Sequence, residues 1–258
     1  MARIFITGSS DGLGLLAAKA LISSGHQVVL HARNEERAKD AMGKVPGAEK
    51  VLTGDLSGME ETSNLAQKVN DSGTFDAIIH NAGLYHVPGT ARSRDGLPLL
   101  FAVNTLAPYI LSALIRRPQR LIYLSSGMHR HGDASEARLD AILAGKNPPS
   151  YSDTKLHDLI LALATARLWP DTSSNAVDPG WVPTKMGGSS APDSLEEGYK
   201  TQVWLATGRD KEATLSGRYL RHKMQMKHHA QADEHDIQDK LLSVCGQLSG
   251  IPFPEPGI

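Results

Sequence analysis

The stretch that decides the fold is Arg3-Ile4-Phe5-Ile6-Thr7-Gly8-Ser9-Ser10-Asp11-Gly12-Leu13-Gly14, near the start of the chain. Its apolar run predicts a buried strand, its glycines predict a tight turn, and the spacing that follows predicts a helix. Glycines let the backbone approach a pyrophosphate, and the N–H groups that begin a helix bind its charge. A merely structural turn is the alternative, which the position between strand and helix disfavours. The dinucleotide-contacting residues predicted here are Gly8, Ser10, Asp11, Gly12, Leu13 and Gly14.

Short apolar runs then alternate with helical patterns along the whole chain, without a linker-like break. This alternation predicts βαβ units and one α/β domain over residues 1–258, a doubly wound Rossmann fold whose parallel sheet of about seven strands is flanked by helices. The predicted strands are Arg3–Thr7, Gln27–His31, Lys50–Leu52, Phe75–Ile79, Gln119–Leu124, Ser174–Val177 and one near Gly217–Leu220. The predicted helices are Leu13–Ser24, Glu35–Gly43, Glu60–Asp71, Leu97–Ile115, Glu136–Leu143, Tyr151–Trp169, Leu195–Thr207 and Asp233–Leu248.

Composition excludes several classes of function. The net charge is −1, from 27 basic and 28 acidic side chains, which argues against a nucleic-acid partner. The single cysteine, Cys245, excludes an intrachain disulfide and is compatible with a reducing compartment. No stretch approaches the roughly 20 apolar residues of a membrane span. We therefore expect a cytoplasmic protein without a membrane-spanning segment.

The end of the second predicted strand bears on the choice of dinucleotide. NAD sites usually place a carboxylate there to hold the ribose 2′-hydroxyl. Here the sequence runs Val29-Leu30-His31-Ala32-Arg33-Asn34, and the first carboxylate is Glu35. The planar guanidinium of Arg33 suits a 2′-phosphate. NADP(H) is therefore expected in preference to NAD(H); the alternative is an arginine that merely precedes the next helix.

Tyr151 and Lys155 stand four residues apart on a predicted helix and so share one face. A nearby positive charge favours the phenolate of a tyrosine, whose ordinary pKa is about 10. Lowering that pKa to about 7 requires roughly 4 kcal/mol of differential stabilisation. Tyr151 would then exchange protons near neutral pH. A surface helix with an extended lysine is the alternative.

In the context of its other motifs, the chain resembles the short-chain dehydrogenase/reductase family over nearly its whole length. The matching motifs, in the family's order, are Thr7-Gly8-xxx-Gly12-x-Gly14, Asp55-Leu56, Asn81-Ala82-Gly83, Phe101-x-Val103-Asn104, Ser125-Ser126, Tyr151-xxx-Lys155 and Asp178-Pro179-Gly180-Trp181-Val182-x-Thr184. The separation of 25 positions between Ser126 and Tyr151 is similar to the retinol-dehydrogenase-like branch.

The resemblance implies roles for individual residues. Tyr151 would be the acid/base that exchanges a proton with the substrate oxygen, and Lys155 would lower its pKa and hydrogen-bond the nicotinamide ribose. Ser126 would hold the carbonyl oxygen, whereas Ser125 would be structural. Asn104 would bind a water that links Lys155 to bulk solvent. The remaining cofactor contacts implied are Asp55, Leu56, Asn81, Ala82, Gly83, Pro179, Gly180, Val182 and Thr184.

Two departures from the family pattern affect these expectations. His80 replaces the first asparagine of the family's Asn-Asn-Ala-Gly motif and is expected to hydrogen-bond backbone instead. The helix after Asn104 must end near Arg116-Arg117-Pro118. Because that helix often builds the family's dimer interface, an oligomer is conceivable but the usual dimer is in doubt.

The eleven histidines invite a metal hypothesis, but none forms the helical ligand pair of a zinc site. We expect no metal, with His129, His131, His222, His228, His229 and His235 solvated or lining a cleft. A hydrolase triad is disfavoured because no Gly-x-Ser-x-Gly elbow is present.

Substrate-binding loops are expected beyond the carboxyl ends of the strands, at residues 84–97, 127–150, 181–199 and 220–233. Their apolar and aromatic side chains favour a medium-sized small-molecule carbonyl or alcohol as the partner. The predicted function is an NADP(H)-dependent carbonyl reductase or alcohol dehydrogenase. The alternatives are a non-catalytic dinucleotide-binding regulatory protein and a sugar-nucleotide epimerase or dehydratase of the same fold.

Overall fold

The computed structural model describes residues 1–255, and within them eight strands form one sheet in the order β3-β2-β1-β4-β5-β6-β7-β8. The strands are β1 (Arg3–Ile6), β2 (Gln27–Ala32), β3 (Lys50–Thr53), β4 (Ala77–His80), β5 (Arg120–Leu124), β6 (Ser173–Val177), β7 (Arg218–Arg221) and β8 (Met224–Gln225). The first seven pair in parallel, which confirms the predicted sheet. The missed strand β8 pairs antiparallel with β7 and is too short to show a pattern.

Helices cover both faces of this sheet. They are α1 (Gly12–Ser23), α2 (Glu35–Lys44), α3 (Met59–Asp71), α4 (Leu99–Phe101), α5 (Ala107–Leu114), α6 (Glu136–Leu143), α7 (Tyr151–Leu168), α8 (Leu195–Thr207) and α9 (His235–Ser249). Successive residues of β1 enter opposite cores, Phe5 on the α3, α5, α7 and α9 side and Ile4 and Ile6 on the α1, α2 and α8 side. All three are fully buried, as expected for a parallel strand covered on both faces.

The helix predicted at Leu97–Ile115 is wrong as a single regular helix. A π-helical segment, Ala102–Leu106, separates α4 from α5. Pro108 is the physical reason, because it has no N–H to donate and its ring clashes with the carbonyl four residues earlier, that of Asn104. The other predicted bounds differ from the observed ones by at most two residues.

The end of the described chain packs against α5 and the end of α7. Tyr109 donates a hydrogen bond of 2.8 Å to the Ile251 carbonyl. The Phe253 ring stacks on Trp169 with centroids 4.9 Å apart, and the Trp169 indole N–H donates to the Pro254 carbonyl. This segment therefore covers part of the shortened α5. The doubt about the family's usual dimer stays a prediction.

The strand order reverses between β1 and β4, which are neighbours in the sheet. In doubly wound sheets, ligands bind beyond the carboxyl ends of the strands at such a point. The glycine turn after β1 and the loop after β4 lie there. Within residues 1–255, no helix combines the length and apolar character needed to cross a bilayer.

Candidate active site and dinucleotide cleft

A cleft of about 720 Å³ opens at this reversal point and joins most of the predicted site residues. Those that line it are Gly8, Ser10, Asp11, Gly12, Leu13, Arg33, Asp55, Leu56, Asn81, Ala82, Gly83, Tyr151, Lys155, Pro179 and Thr184. Elements distant in sequence thus contribute to one cavity, with the glycine turn at one part of its wall and Tyr151 at another.

Other predicted residues are not part of the cleft lining itself. They are Gly14, Asn104, Ser126, Gly180 and Val182. A Cβ at position 14 would lie 2.5 Å from Asn81 Nδ2, so Gly14 permits close packing of α1 on the loop after β4. Val182 is buried, and a Cβ at Gly198 of α8 would lie 2.9 Å from its Cγ1.

The glycine turn has the shape and polarity that a pyrophosphate requires. Gly8 has φ +61°, and a Cβ there would lie 2.8 Å from Ala82 Cα. Gly12 has φ +54° and opens into space at the first turn of α1. Asp11 caps that helix by accepting from the Gly12 N–H at 2.9 Å. The turn and the positive end of α1 therefore fit a dinucleotide phosphate.

The Asp11 carboxylate lies beside this phosphate-binding turn and is itself neutralised by cations. Lys185 hydrogen-bonds Asp11 and, as the largest cause, lowers the pKa of that carboxyl. The Arg37 guanidinium lies 3.8 Å from the same carboxylate. Lys185 belongs to the segment after β6, so this contact joins the two sides of the cleft.

His31 holds the glycine turn in place, a role that the sequence patterns missed. Its Nδ1 accepts from the Gly8 N–H at 2.9 Å, so Nε2 carries the proton and donates to the Gly54 carbonyl at 2.9 Å. Burial lowers the pKa of His31 to about 4, so the ring is neutral at physiological pH. The signal available in the sequence was a polar side chain near the end of the otherwise apolar strand β2.

A second arginine joins Arg33 at the end of β2. Arg33 is exposed on the cleft wall, and Arg37 lines the same wall one helical turn later. The spacing of four residues could have identified Arg37 from sequence. Glu35, the first carboxylate after β2, accepts a hydrogen bond from Thr53 Oγ1 at 2.8 Å and does not line the cleft.

The first turn of α7 positions Tyr151. Ser150 and Asp153 form a capping box, in which each side chain accepts from the other residue's backbone N–H. Arg138 of α6 donates to the Asp153 carboxylate at 2.7 Å and secures the same turn. The Tyr85 ring contacts Tyr151 with centroids 4.5 Å apart. The tyrosine is thus held between its helix and the loop after β4.

The net effect of this geometry on the pKa of Tyr151 is opposite in direction to the effect of Lys155 alone. Burial raises the pKa of Tyr151 above its ordinary value, and the Lys155 ammonium offsets that effect only in part. Asp158 raises the pKa further, while the Ser126 hydroxyl lowers it. The phenol is therefore protonated at neutral pH. The four-residue spacing on a helix indicated that Lys155 would stabilise the Tyr151 phenolate, but it could not indicate that the phenol is buried away from water.

Lys155 has a buried acidic partner that sequence reasoning missed. Its Nζ lies 2.7 Å from Asp158 Oδ2 and donates to the Leu124 carbonyl at 2.8 Å. Burial would lower the pKa of Lys155, but Asp158 and Tyr151 outweigh that effect and raise it. The separation of three residues on a helix was the signal that could have revealed the pair.

The two serines after β5 have different surroundings. Ser125 Oγ donates to the backbone carbonyl of Lys155 at 2.7 Å and is buried. Ser126 Oγ accepts from the Met128 N–H at 3.2 Å and is the hydroxyl that acts on Tyr151. Of the two hydroxyls, Ser126 is therefore the one that lowers the pKa of Tyr151, whereas Ser125 is the one on the cleft lining.

Asn104 connects the loop after β4 to α7. Its Oδ1 accepts from the Leu84 N–H at 2.7 Å, and its Nδ2 donates to the Leu84 carbonyl and to Thr154 Oγ1. The side chain is therefore occupied by protein contacts. Pro108, four residues later, has no N–H to donate to the Asn104 backbone carbonyl.

Two histidine predictions require correction. His80 hydrogen-bonds the Ser112 hydroxyl at 3.0 Å rather than backbone, and it stacks on Tyr123. His129 is fully buried rather than solvated, because both ring nitrogens bond to backbone. Its Nε2 accepts from the His229 N–H, so Nδ1 donates to the Ser126 carbonyl at 2.7 Å. His129 thus ties residues 220–233 to the serine turn.

Comparison with known proteins gives concordant results. The family model for short chain dehydrogenases matches residues 2–119. Short-chain dehydrogenase chry4 of Gibberella zeae is 44% identical over 261 residues, which span 99% of this chain and 100% of that protein. Retinol dehydrogenase 14 of Mus musculus is 25% identical, over 96% of this chain and 86% of its own length. Among solved structures, a blue fluorescent protein from a metagenomic library, in complex with NADPH, has a TM-score of 0.67 at 17% identity, covering 85% of this chain and 95% of its own.

Proposed function

This chain belongs to the short-chain dehydrogenase/reductase family, and from that premise we propose that it transfers a hydride between NADP(H) and a ketone, aldehyde or secondary alcohol. The observation that supports this proposal most strongly is that one cleft contains both the phosphate-binding turn and the proton donor. Its wall includes the glycine turn and Arg33 as well as Tyr151 and Lys155, with the Ser126 hydroxyl acting on the phenol. One bound dinucleotide could therefore reach both the phosphate-binding groups and the proton donor.

The dinucleotide, when bound, supplies or accepts the hydride, and the protein supplies orientation and the proton. Reduction builds negative charge on the carbonyl oxygen. The Ser126 hydroxyl and the Tyr151 phenol would donate hydrogen bonds to that oxygen, and Tyr151 would then give up its proton. The raised pKa of Tyr151 keeps that proton on Oη at neutral pH, so the phenol is in the donor form that carbonyl reduction requires. Lys155 would stabilise the resulting phenolate.

Restoring the proton to Tyr151 requires a connection to solvent. The backbone carbonyl of Asn104 lies in the π-helical segment, and Pro108, four residues later, has no N–H to donate to it. A water bound there would link Lys155 to bulk water. We assign this role to the backbone carbonyl of Asn104, because its side-chain amide is already hydrogen-bonded to Leu84 and Thr154.

NADP(H) is the proposed cofactor in preference to NAD(H). Arg33 and Arg37 line the cleft at the end of β2, where a 2′-phosphate would lie. Glu35 bonds Thr53 outside the cleft lining, so it is not placed to hold a ribose 2′-hydroxyl. A related fold binds NADPH in the metagenomic fluorescent protein, which is compatible with this choice.

The substrate is proposed to be a medium-sized, largely apolar carbonyl compound or its alcohol. Tyr85 covers one side of Tyr151, and Met186 lines the cleft. Trp181 is 57% exposed at the neighbouring rim, although its indole N–H donates to the Gly187 carbonyl. Large apolar side chains left accessible beside a polar reaction centre suit such a ligand better than a sugar phosphate.

Replacing the phenol tests the proposed chemistry. Tyr151→Phe removes the proton donor but keeps the ring, so NADPH should bind as before while turnover on a panel of ketones and aldehydes falls by about 10²-fold or more. NADPH oxidation and NADPH fluorescence would measure the two quantities. Tyr199→Phe, on α8 outside the cleft lining, is the matched control. Full activity of Tyr151→Phe would contradict the proposed mechanism.

A further inference from the structure

Helix α7 places a buried carboxylate three residues beyond the lysine of the active site. The side chains of Lys155 and Asp158 are 6% and 4% exposed, and their Nζ and Oδ2 atoms lie 2.7 Å apart. A second Nζ hydrogen bond goes to the Leu124 carbonyl at 2.8 Å. Since an ammonium has three donors, one N–H remains for the cleft, which Lys155 lines.

This pairing changes what Lys155 does to Tyr151. An isolated ammonium would strongly favour the phenolate, because opposite charges within a few ångströms shift a pKa by about one to three units. The negative charge of Asp158 cancels part of that field. Burial already favours the neutral phenol, and Asp158 acts in the same direction. The phenol therefore faces a nearly neutral ion pair instead of a free cation.

We propose that Asp158 is a positioning residue that holds the Lys155 ammonium at the base of the cleft and keeps Tyr151 protonated for carbonyl reduction. This inference rests on the proposed function of Tyr151. Asp158 touches neither the phenol nor the space where a substrate would bind, so it acts through Lys155. Burial raises the pKa of Asp158 to about 6, which leaves it ionised at neutral pH.

Three other titratable side chains lie around this pair: Tyr85, Tyr123 and His80. Tyr85 lies on the Tyr151 ring from the loop after β4, and it raises the pKa of Tyr151 slightly after the effects already named. Tyr123 faces α7 from β5, and burial raises its pKa to about 12. His80 stacks on Tyr123, and burial lowers its pKa to about 3. Among residues 1–255, Asp158 is the carboxylate that acts on Tyr151.

The variant Asp158→Asn tests this inference, because it keeps a hydrogen-bond acceptor and removes the charge. Loss of a negative charge makes the Tyr151–Lys155 pair easier to deprotonate, whichever member loses its proton first. Alcohol oxidation by NADP⁺ requires the deprotonated form, so its rate rises with pH. We expect the midpoint of that pH–rate profile to fall by about one pH unit or more in Asp158→Asn.

Two matched variants separate charge from stability. Asp158→Glu keeps the charge and should restore a midpoint close to that of the unmodified protein. Asp153→Asn removes another buried acid from the same helix, one paired with Arg138 rather than Lys155. It should lower thermal stability without moving the midpoint. An unchanged midpoint in folded Asp158→Asn would overturn the inference, as would an equal shift in Asp153→Asn.

A spectroscopic titration tests the premise that Tyr151 stays protonated, even if Asp158→Asn does not fold. The ultraviolet difference between the unmodified protein and Tyr151→Phe isolates ionisation of the Tyr151 phenol. We expect this ionisation above pH 10, since the pKa of Tyr151 is raised from its ordinary value of 10.0. Ionisation below that value would contradict the role of Asp158. Full activity of Tyr151→Phe would instead contradict the proposed function. The failure of the inference and the failure of the proposed function therefore give different results.

Discussion

At the scale of single residues, the cleft separates two kinds of charge. Five cations besides Lys155 line the cleft, namely Arg33, Arg37, Arg92, Arg94 and Lys185. Lys185 and Arg37 contact Asp11 and Arg94 pairs with Glu61, while Arg33 is exposed on the wall. At the reaction centre, Lys155 is paired with the buried Asp158. A surplus of positive charge suits phosphate binding, whereas a balanced pair suits a phenol that must hold its proton until a substrate oxygen becomes negative.

The cofactor preference is a prediction at this scale. Arg33→Ala removes a charge-assisted contact worth about 1.5–3 kcal/mol, so the Kd for NADPH should rise about tenfold to a hundredfold. The Kd for NADH should hardly change, because NADH lacks the 2′-phosphate. Fluorescence titration measures both constants. Lys39→Ala removes the same charge from the exposed face of α2, outside the cleft lining, and serves as control. Equal losses for both cofactors would exclude the 2′-phosphate role.

At the scale of elements, α7 connects local stability to chemistry. Its capping box and the Arg138 contact stabilise the first turn, which begins at Tyr151 itself. Ser125 ties the same helix to the end of β5 through the Lys155 carbonyl. The proton donor therefore depends on a helix terminus that several independent contacts hold in place.

Removing the cap should affect both stability and turnover. Ser150→Ala leaves the Asp153 N–H without its side-chain partner, which costs about 1 kcal/mol. We expect the Tm to fall by about 2–4 °C and kcat to decrease because the first turn frays. Calorimetry and steady-state kinetics measure these changes. Ser135→Ala at the start of α6 is the control, since that serine makes no side-chain cap bond. Equal effects of the two variants would contradict the assigned role of the cap.

At the scale of the whole molecule, the described end of the chain closes one of the two apolar cores. Phe253 packs between Trp169 and Tyr109, with ring centroids 4.9 Å and 5.5 Å away. It joins α5 to the end of α7, and the opposite end of α7 begins at Tyr151 on the cleft lining. The contact is remote from the cleft and should contribute to stability alone.

Truncating this ring tests that separation. Phe253→Ala should lower the free energy of unfolding by about 2 kcal/mol, less than a fully buried phenylalanine because Phe253 is only partly buried. The Kd for NADPH should remain unchanged. Denaturant unfolding and fluorescence titration measure the two quantities. Pro252→Ala, at the exposed neighbouring position, should have a much smaller effect. A weakened Kd would show that the tail and the cleft are connected energetically.

The amino-acid sequence by itself determined the fold class and the two main parts of the site. Strand and helix patterns are local, so β1, the glycine turn and α1 follow from residues that adjoin one another. The four-residue spacing of Tyr151 and Lys155 likewise placed both on one helix. The carboxyl ends of parallel strands then bring such segments to one edge of the sheet.

Only the tertiary structure decided the energetics of that site. Desolvation, which raises the pKa of Tyr151, depends on how many elements cover the phenol. The hydrogen bonds of His31 to Gly8 and Gly54 join positions more than twenty residues apart in the sequence. The Lys155–Asp158 pair was visible as a spacing, but its burial was not. Local sequence specifies which groups are near one another along a helix, whereas burial by distant elements determines their charge.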